Sequence, residues 1–336
     1  MDIKALSSLI KEEYDINASS IEKLKNVYKI ESDSGKYCLK VIKYDYGHFI
    51  FILNAIKHLQ DNNFKKTPDI ISTIKSSDFI QLGNNYAYLT KWIDSRQCNY
   101  NNPIDIVIAA GKLAELHKKS EGFQITPEMN PRIGWLKWID NFKTRKDEIY
   151  DFKKRILNKQ KKSQFDSMYE NCIDEEILRC DSSINNLVSS DYIEKVKSEI
   201  ALSGFCHHDF AHHNVLIEKN GEVNIIDFDY CILDSHLHDL SSLLLRIMKN
   251  NKWDISTASF ILDSYNNVKT VESTDIPIIS AFMEFPQDFW QIGIQYYWEK
   301  QPWGEEFFVK KLEKILEDRE DKQNFIDEFR FFNYRP

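Results

Sequence analysis

The sequence predicts an α+β chain: a small antiparallel sheet with one crossing helix, followed by a larger, mainly helical part. Three observations carry this. Strand-like runs separated by turn residues fill the first 93 positions. After Ser95, apolar residues recur at helical spacing. One later segment returns to strand character, on either side of Asn220-Gly221. At about 150 residues per domain, 336 residues make two domains or one two-lobed unit.

Residues 3–14 read as a short amphipathic helix. Ile21 to Glu31 and Lys36 to Tyr44 read as two strands joined by Ser32-Asp33-Ser34-Gly35, whose residues are good turn formers. Phe49 to Gln60 is helical in pattern and ends at Asp61-Asn62-Asn63. Phe79 to Leu82, a Gly83-Asn84-Asn85 turn and Tyr86 to Ile93 make another strand pair. Ile104 to Lys118 is a clear helix, 135–200 is mostly helical, and Glu305 to Phe329 reads as an exposed helix. Lysine-rich runs such as Lys153-Lys154-Arg155 read as solvated helix faces.

Composition narrows the function. With 44 basic and 52 acidic residues the chain carries −8, which argues against general nucleic-acid binding, since that rests on cations neutralising phosphates. The cysteines Cys38, Cys98, Cys172, Cys180, Cys206 and Cys231 form no CxxC, which reads as isolated thiols in a reducing compartment. Met1-Asp2-Ile3-Lys4 lacks a signal-peptide pattern, and the richest apolar run, Phe49 to Ile56, is too short to span a bilayer. The expectation is synthesis in the cytosol, with no membrane partner.

The chemistry concentrates in residues 205–240. A two-residue turn at Asn220-Gly221 would make paired positions sum to 441, setting Asn214 opposite Asp227. Asp209 precedes Asn214 by five residues. Such a group of hard oxygen donors suits Mg²⁺. His207, His208, His212 and His213 raise the alternative of a zinc-dependent hydrolase, but no Cys pair or HExxH supports it.

The order His207-x-Asp209-x-x-x-x-Asn214, hairpin, Asp227-Phe228-Asp229 resembles the catalytic and metal-binding segments of the protein-kinase-like fold. The form resembles aminoglycoside phosphotransferases and choline kinases more than protein kinases. His238-Asp239-Leu240 resembles the segment whose aspartate braces the catalytic loop. Tyr37-Cys38-Leu39-Lys40 resembles the strand bearing the ATP lysine, and Tyr88 to Ile93 the strand leading to the hinge. More narrowly, the chain resembles the CotS family of spore-coat kinase-like proteins. Tyr37 to Ile42, Tyr88 to Arg96, Leu113 to His117 before Gly122-Phe123, the 205–240 block and the tail Tyr296-Tyr297-Trp298-Glu299 with Gln301-Pro302-Trp303 carry this end to end.

The resemblance implies a protein-kinase-like two-lobed fold, with an antiparallel-sheet N-lobe over 1–94 and a helical C-lobe over 95–336. It implies ATP and Mg²⁺ as cofactors. Lys40 would meet the α/β-phosphates, and Lys91, Trp92 and Ile93 the adenine. Asn214 and Asp227 would hold Mg²⁺, and Asp209 would orient and deprotonate the acceptor hydroxyl. His207 and Asp239 would support the loop. The implied acceptor is a small molecule such as a sugar or amino-alcohol, the implied partners are other spore-coat proteins, and the implied destination is the spore coat. Tyr296, Tyr297, Trp298 and Trp303 read as helical-lobe core or a protein contact, with a cation-binding cluster as the alternative.

The chain departs from that pattern in two places. Lys25-Asn26-Val27-Tyr28 has no glycine where a phosphate-covering loop is expected. His48 to Gln60 has no acid to pair with Lys40, which leaves Asp45, Glu12 or Glu13 as substitutes. A catalytically weak coat component is therefore the alternative function.

Overall fold

The structure is a computed structural model describing residues 2–250 and 252–335. Chain packing divides it into two compact units. One comprises Met1–Asn99, Glu115–Ile133 and Phe205–Leu233; the other comprises Tyr100–Ala114, Gly134–Gly204 and Asp234–Pro336.

The first unit is built on strands. Helix α1 (Ile3–Tyr14) places Leu6, Ile10 and Tyr14 on one stripe, and these join a core with Ile30, Leu39 and Leu89. The expected single strand over Ile21 to Glu31 is two strands. The chain reverses at Lys25-Asn26, giving β1 (Ala18–Leu24) and β2 (Val27–Ser32). Lys25 adopts φ +57 there, a left-handed conformation that nothing in a lysine side chain announces. The Ser32 to Gly35 turn is as expected and leads into β3 (Gly35–Ile42). Helix α2 (Tyr46–Asp61) is capped by Asp45, which accepts from His48 N–H at 3.1 Å. Its residues from His48 to Leu53 are all buried, so it runs through packed surroundings and not along the surface.

Strands β4 (Ile70–Ile71), β5 (Ile80–Leu82) and β6 (Asn85–Lys91) complete the main sheet in the order β1-β2-β3-β6-β4, with β5 also on β6. A second sheet joins β7 (Ser95–Gln97), β8 (Val215–Glu218) and β9 (Val223–Ile225). All pairings are antiparallel.

Helix α3 (Pro103–Ser120) begins in the second unit and ends in the first. The second unit is otherwise α4 (Trp138–Leu157), α5 (Gln164–Ser189), α6 (Tyr192–Leu202), α7 (Leu237–Met248), α8 (Ile255–Asn266), α9 (Asp275–Glu284), α10 (Gln287–Gly293), α11 (Glu305–Glu317) and α12 (Arg319–Phe329). The exposed C-terminal helix of the sequence reading is thus two helices that meet at Asp318. Each buries a stripe: Phe308, Val309 and Leu312 on α11, and Phe325, Ile326 and Phe329 on α12. Among the described residues no helix is long and apolar enough to cross a membrane.

The aromatic tail joins this helical core through Tyr297, while Trp298 and Trp303 are exposed. After α10 the chain widens into a π-turn over Ile294–Trp298. Tyr297 is buried, stacks on Phe152 at 5.4 Å and donates to Asp166 at 3.0 Å. A cation does sit over these rings, but it is the chain's own Lys159. Its Nζ lies 5.4 Å from the Tyr296 ring and 5.3 Å from the Tyr297 ring, and 2.7 Å from Asp166. Gly293 is what allows the approach. A Cβ there would stand 2.6 Å from Tyr169 Oη and 2.7 Å from the Phe152 ring. Gly293→Ala is therefore expected to destabilise the chain by about 1–3 kcal/mol through overpacking, read as a fall in denaturation midpoint at unchanged slope.

Candidate active site

Lys40 lies on β3. Successive residues of a strand face opposite ways, and Tyr37, Leu39 and Val41 fill the core, so Lys40 points to the other face. Its side chain is only 8% exposed, and a buried ammonium needs compensating charge. Asp227 Oδ1 at 2.7 Å and Asp229 Oδ2 at 3.0 Å supply it. Burial alone would lower the lysine's pKa; the two carboxylates outweigh it and raise it.

This answers the missing helix acid. Asp45 is occupied capping α2, Glu13 pairs with Lys75 at 3.0 Å, and Glu12 is exposed. The partner of Lys40 is Asp229, to which the sequence reading assigned no role. The sequence does hold a second acid two residues after Asp227, and α2 carries none from His48 to Gln60, but nothing local ties that acid to Lys40. Asn26 Nδ2 donates to Asp229 Oδ2 at 3.3 Å, and His48 Nε2 lies 3.4 Å from Asp229 O. Asn26 is held beside Lys40 because its own carbonyl accepts from Val41 N–H at 3.0 Å. Burial, with the neighbouring Asp227 charge, pushes Asp229 up to about 7 despite Lys40. Asp227 is also penalised by burial, but Lys40 outweighs this and holds it below the ordinary carboxylate range.

The hairpin differs from expectation by one residue. The pairs are Val215 with Ile225, Leu216 with Asn224 and Ile217 with Val223, while Glu218 N–H donates to Glu222 O. The loop is therefore Lys219 to Gly221, with Gly221 at φ +85, a three-residue turn closed by a left-handed glycine. Asn214 consequently faces Ile226, whose N–H donates to Asn214 O at 3.0 Å, and not Asp227. Asp227 follows at φ +70 and sends its carboxylate to Lys40. That left-handed conformation costs a non-glycine residue about 1–2 kcal/mol.

His207, Asp209 and Asn214 are tied to the same hairpin. His207 is fully buried, with Nε2 3.0 Å from Ile226 O. Asp209 N–H donates to His207 Nδ1 at 3.3 Å, which assigns the ring proton to Nε2. Asn214 Nδ2 donates to Asp209 O at 2.9 Å and lies 3.3 Å from Asp209 Oδ2. His207, Asp209 and Asn214 thus form one hydrogen-bonded assembly around Ile226, the residue directly before Asp227. His208 sits within it at φ +67, while His212 and His213 are exposed.

The remaining expected residues lie elsewhere. Lys91 ends β6 opposite Tyr37, and Ile93 follows two residues on. Trp92 N–H is already used, donating to Lys36 O at 3.0 Å. Asp239 belongs to the second unit, buried in the first turn of α7 and 3.4 Å from His238 Nδ1.

Over residues 7–329 the chain matches the family described as "Spore coat putative kinase YutH". It belongs to that family. A curated relative of this YutH-family chain is Spore coat protein S of Bacillus subtilis (strain 168), 23% identical over 306 residues that cover 90% of this chain and 86% of the relative. Among solved structures it is similar to an aminoglycoside phosphotransferase from Alicyclobacillus acidocaldarius subsp. acidocaldarius DSM 446. The TM-score is 0.81 at 20% identity, covering 94% and 93% of the two chains. It is also similar to AMP-bound spectinomycin phosphotransferase, with TM-score 0.71, 18% identity and full coverage of both chains. The resemblance read from the 205–240 block is borne out, and the protein-kinase-like fold with it.

The charge triad yields a test. Lys40→Met leaves Asp227 and Asp229 facing one another without their cation, at an expected cost of about 3 kcal/mol in chemical denaturation. The double variant Lys40→Met/Asp229→Asn is expected to recover part of that loss. A cycle showing additive effects would mean that the two side chains are not coupled.

Proposed function

We propose that this chain is a spore-coat phosphotransferase, which moves the γ-phosphoryl group of ATP, with Mg²⁺, to a hydroxyl of a small molecule. The observation that carries this is the hydrogen-bonded pair of Asp209 and Asn214, tied through Ile226 to the neighbour of Asp227, with Lys40 paired to that acidic segment. Residues 1–94 are taken as the nucleotide-covering lobe and 95–336 as the lobe bearing the catalytic loop and acceptor pocket.

The residues fit a divalent cation. Asp227 and Asn214 offer hard oxygen donors, and Asp229 Oδ1 is buried without a hydrogen-bond partner. When bound, Mg²⁺ neutralises charge on the phosphates. Lys40 directs its ammonium to the α/β-phosphates, and the chain at Lys91 and Ile93 meets the base. The Asn214 amide fixes the Asp209 carboxylate, which orients the acceptor hydroxyl and takes its proton as the hydroxyl oxygen attacks phosphorus. His207 holds the loop to the hairpin, with Asp239 as its proposed brace. The solved relatives bound to ADP, AMP and AMP-PNP lend the nucleotide its support. Synthesis in the cytosol and assembly onto the coat beside other coat proteins complete the reading.

One observation favours a second reading, a binding component of the coat without turnover. The Lys25-Asn26 turn has no glycine and is bonded to Asp229 through Asn26. The two readings separate cleanly. Asp209→Asn is expected to cut ATP-dependent phosphorylation across a metabolite panel by about 10³-fold while leaving the thermal shift with ATP and Mg²⁺ intact. A wild-type chain that ATP and Mg²⁺ do not stabilise overturns the enzyme reading.

A further inference from the structure

Arg132 has no part in the chemistry described so far. Its carbonyl accepts from Leu233 N–H at 3.0 Å, and Ile133 bridges Leu233, so it runs beside the chain leaving the Asp-Phe-Asp turn. Its guanidinium carbon lies 4.7 Å from the Tyr44 ring and 5.4 Å from the Tyr230 ring. Tyr44 directly precedes the Asp45 cap of α2 and packs edge-on against His48 at 4.8 Å. Tyr230 directly follows Asp229 and is 46% exposed, so the cluster is open to solvent.

No carboxylate among the described residues pairs with this guanidinium, and no acceptor there takes its N–H groups. Arg179, Arg319 and Arg330 each have a glutamate within 3 Å, as a part-buried arginine ordinarily does. Two rings hold Arg132 in place without consuming its donors. Its five N–H groups keep the planar fork that matches a carboxylate or phosphate. A fixed, unspent fork beside the acidic segment is a recognition device for an oxyanion.

We infer that Arg132 is the recognition group of an acceptor subsite, and that the acceptor carries a carboxylate or phosphate beside the hydroxyl it presents. This rests on the phosphotransferase reading. Tyr230, over whose ring the guanidinium lies, directly follows Asp229, which places Arg132 beside the acidic segment. The subsite also resolves a charge conflict. Asp209, Asp227 and Asp229 repel any anionic acceptor, and a cation beyond Tyr230 offsets that repulsion while favouring anionic over neutral compounds.

The test uses the full chain and titrates D-glycerate and glycerol 3-phosphate against neutral glycerol and cationic ethanolamine, with Mg²⁺ and AMP-PNP present and absent. The wild type is expected to bind an anionic probe and neither control. Arg132→Gln should weaken that binding about tenfold or more, Arg132→Lys should weaken it less, and the AMP-PNP affinity should be unchanged in both. Melting curves establish that each variant is folded; if Arg132→Gln is not, Arg132→Lys alone supplies the comparison. The inference is overturned if no anionic probe binds, if binding survives Arg132→Gln, or if AMP-PNP affinity falls with it, since the fork then serves the nucleotide phosphates. A wild type that binds anions through Arg132 but not AMP-PNP keeps the subsite and sinks the phosphotransferase reading instead.

Discussion

The contact on which the site depends is the ion pair of Lys40 with Asp227 and Asp229. It joins a strand of the main sheet to a turn 187 residues away in sequence. A buried ammonium and two largely buried carboxylates are each costly alone, and each is tolerable only where the others stand. That mutual need fixes the end of the β8–β9 hairpin against β3. The rest of the constellation follows by hydrogen bonds: His207 to Ile226, Asp209 to His207, and Asn214 to Asp209. Even the glycine-free turn is drawn in, through Asn26.

The scarcity of glycine acquires a physical meaning in this light. The chain has ten glycines, and several serve close packing in place of phosphate approach. A Cβ at Gly47 would meet Asn130 at 2.7 Å, one at Gly134 would meet Asp234 at 2.5 Å, and Gly293 lets the tail aromatics close on Phe152. Where the site needs a left-handed backbone, it uses Lys25, His208 and Asp227. Such conformations persist in side-chain-bearing residues only when the surroundings over-determine them, and at Asp227 the ion pair with buried Lys40 does so.

Much of this was legible in the chain itself. The Tyr37-Cys38-Leu39-Lys40 strand, the His207-Asp209-Asn214 spacing and the Asp227-Phe228-Asp229 segment pointed to the fold and to residues that come together. What escaped has physical causes. A left-handed lysine carries no turn signal, so the β1–β2 reversal was missed. A two-residue and a three-residue loop share the Asn220-Gly221 dipeptide, and only the backbone distinguishes them, so the register slipped by one. The ties from Asp229 to Lys40 and Asn26 are long-range, and no local pattern encodes them. The tail aromatics read ambiguously because a cation over rings has the same sequence signature whether the cation is a ligand or Lys159.

The source of the acid paired with Lys40 bears on control. In protein kinases the ATP lysine pairs with a glutamate on the crossing helix, so moving that helix switches the lysine's orientation. Here the acid travels with the Asp-Phe-Asp segment. Among the described residues, the hydrogen bond between α2 and the triad joins His48 Nε2 and the Asp229 carbonyl at 3.4 Å, and burial lowers the pKa of that ring below the ordinary value. A displacement of α2 therefore breaks no ion pair of Lys40. Orientation of the lysine is instead coupled to Asp229, two residues after Asp227, so lysine and acids are positioned together or not at all. The position of Lys40 is therefore tied to the Asp227-Phe228-Asp229 segment and not, as in protein kinases, to an acid on the crossing helix.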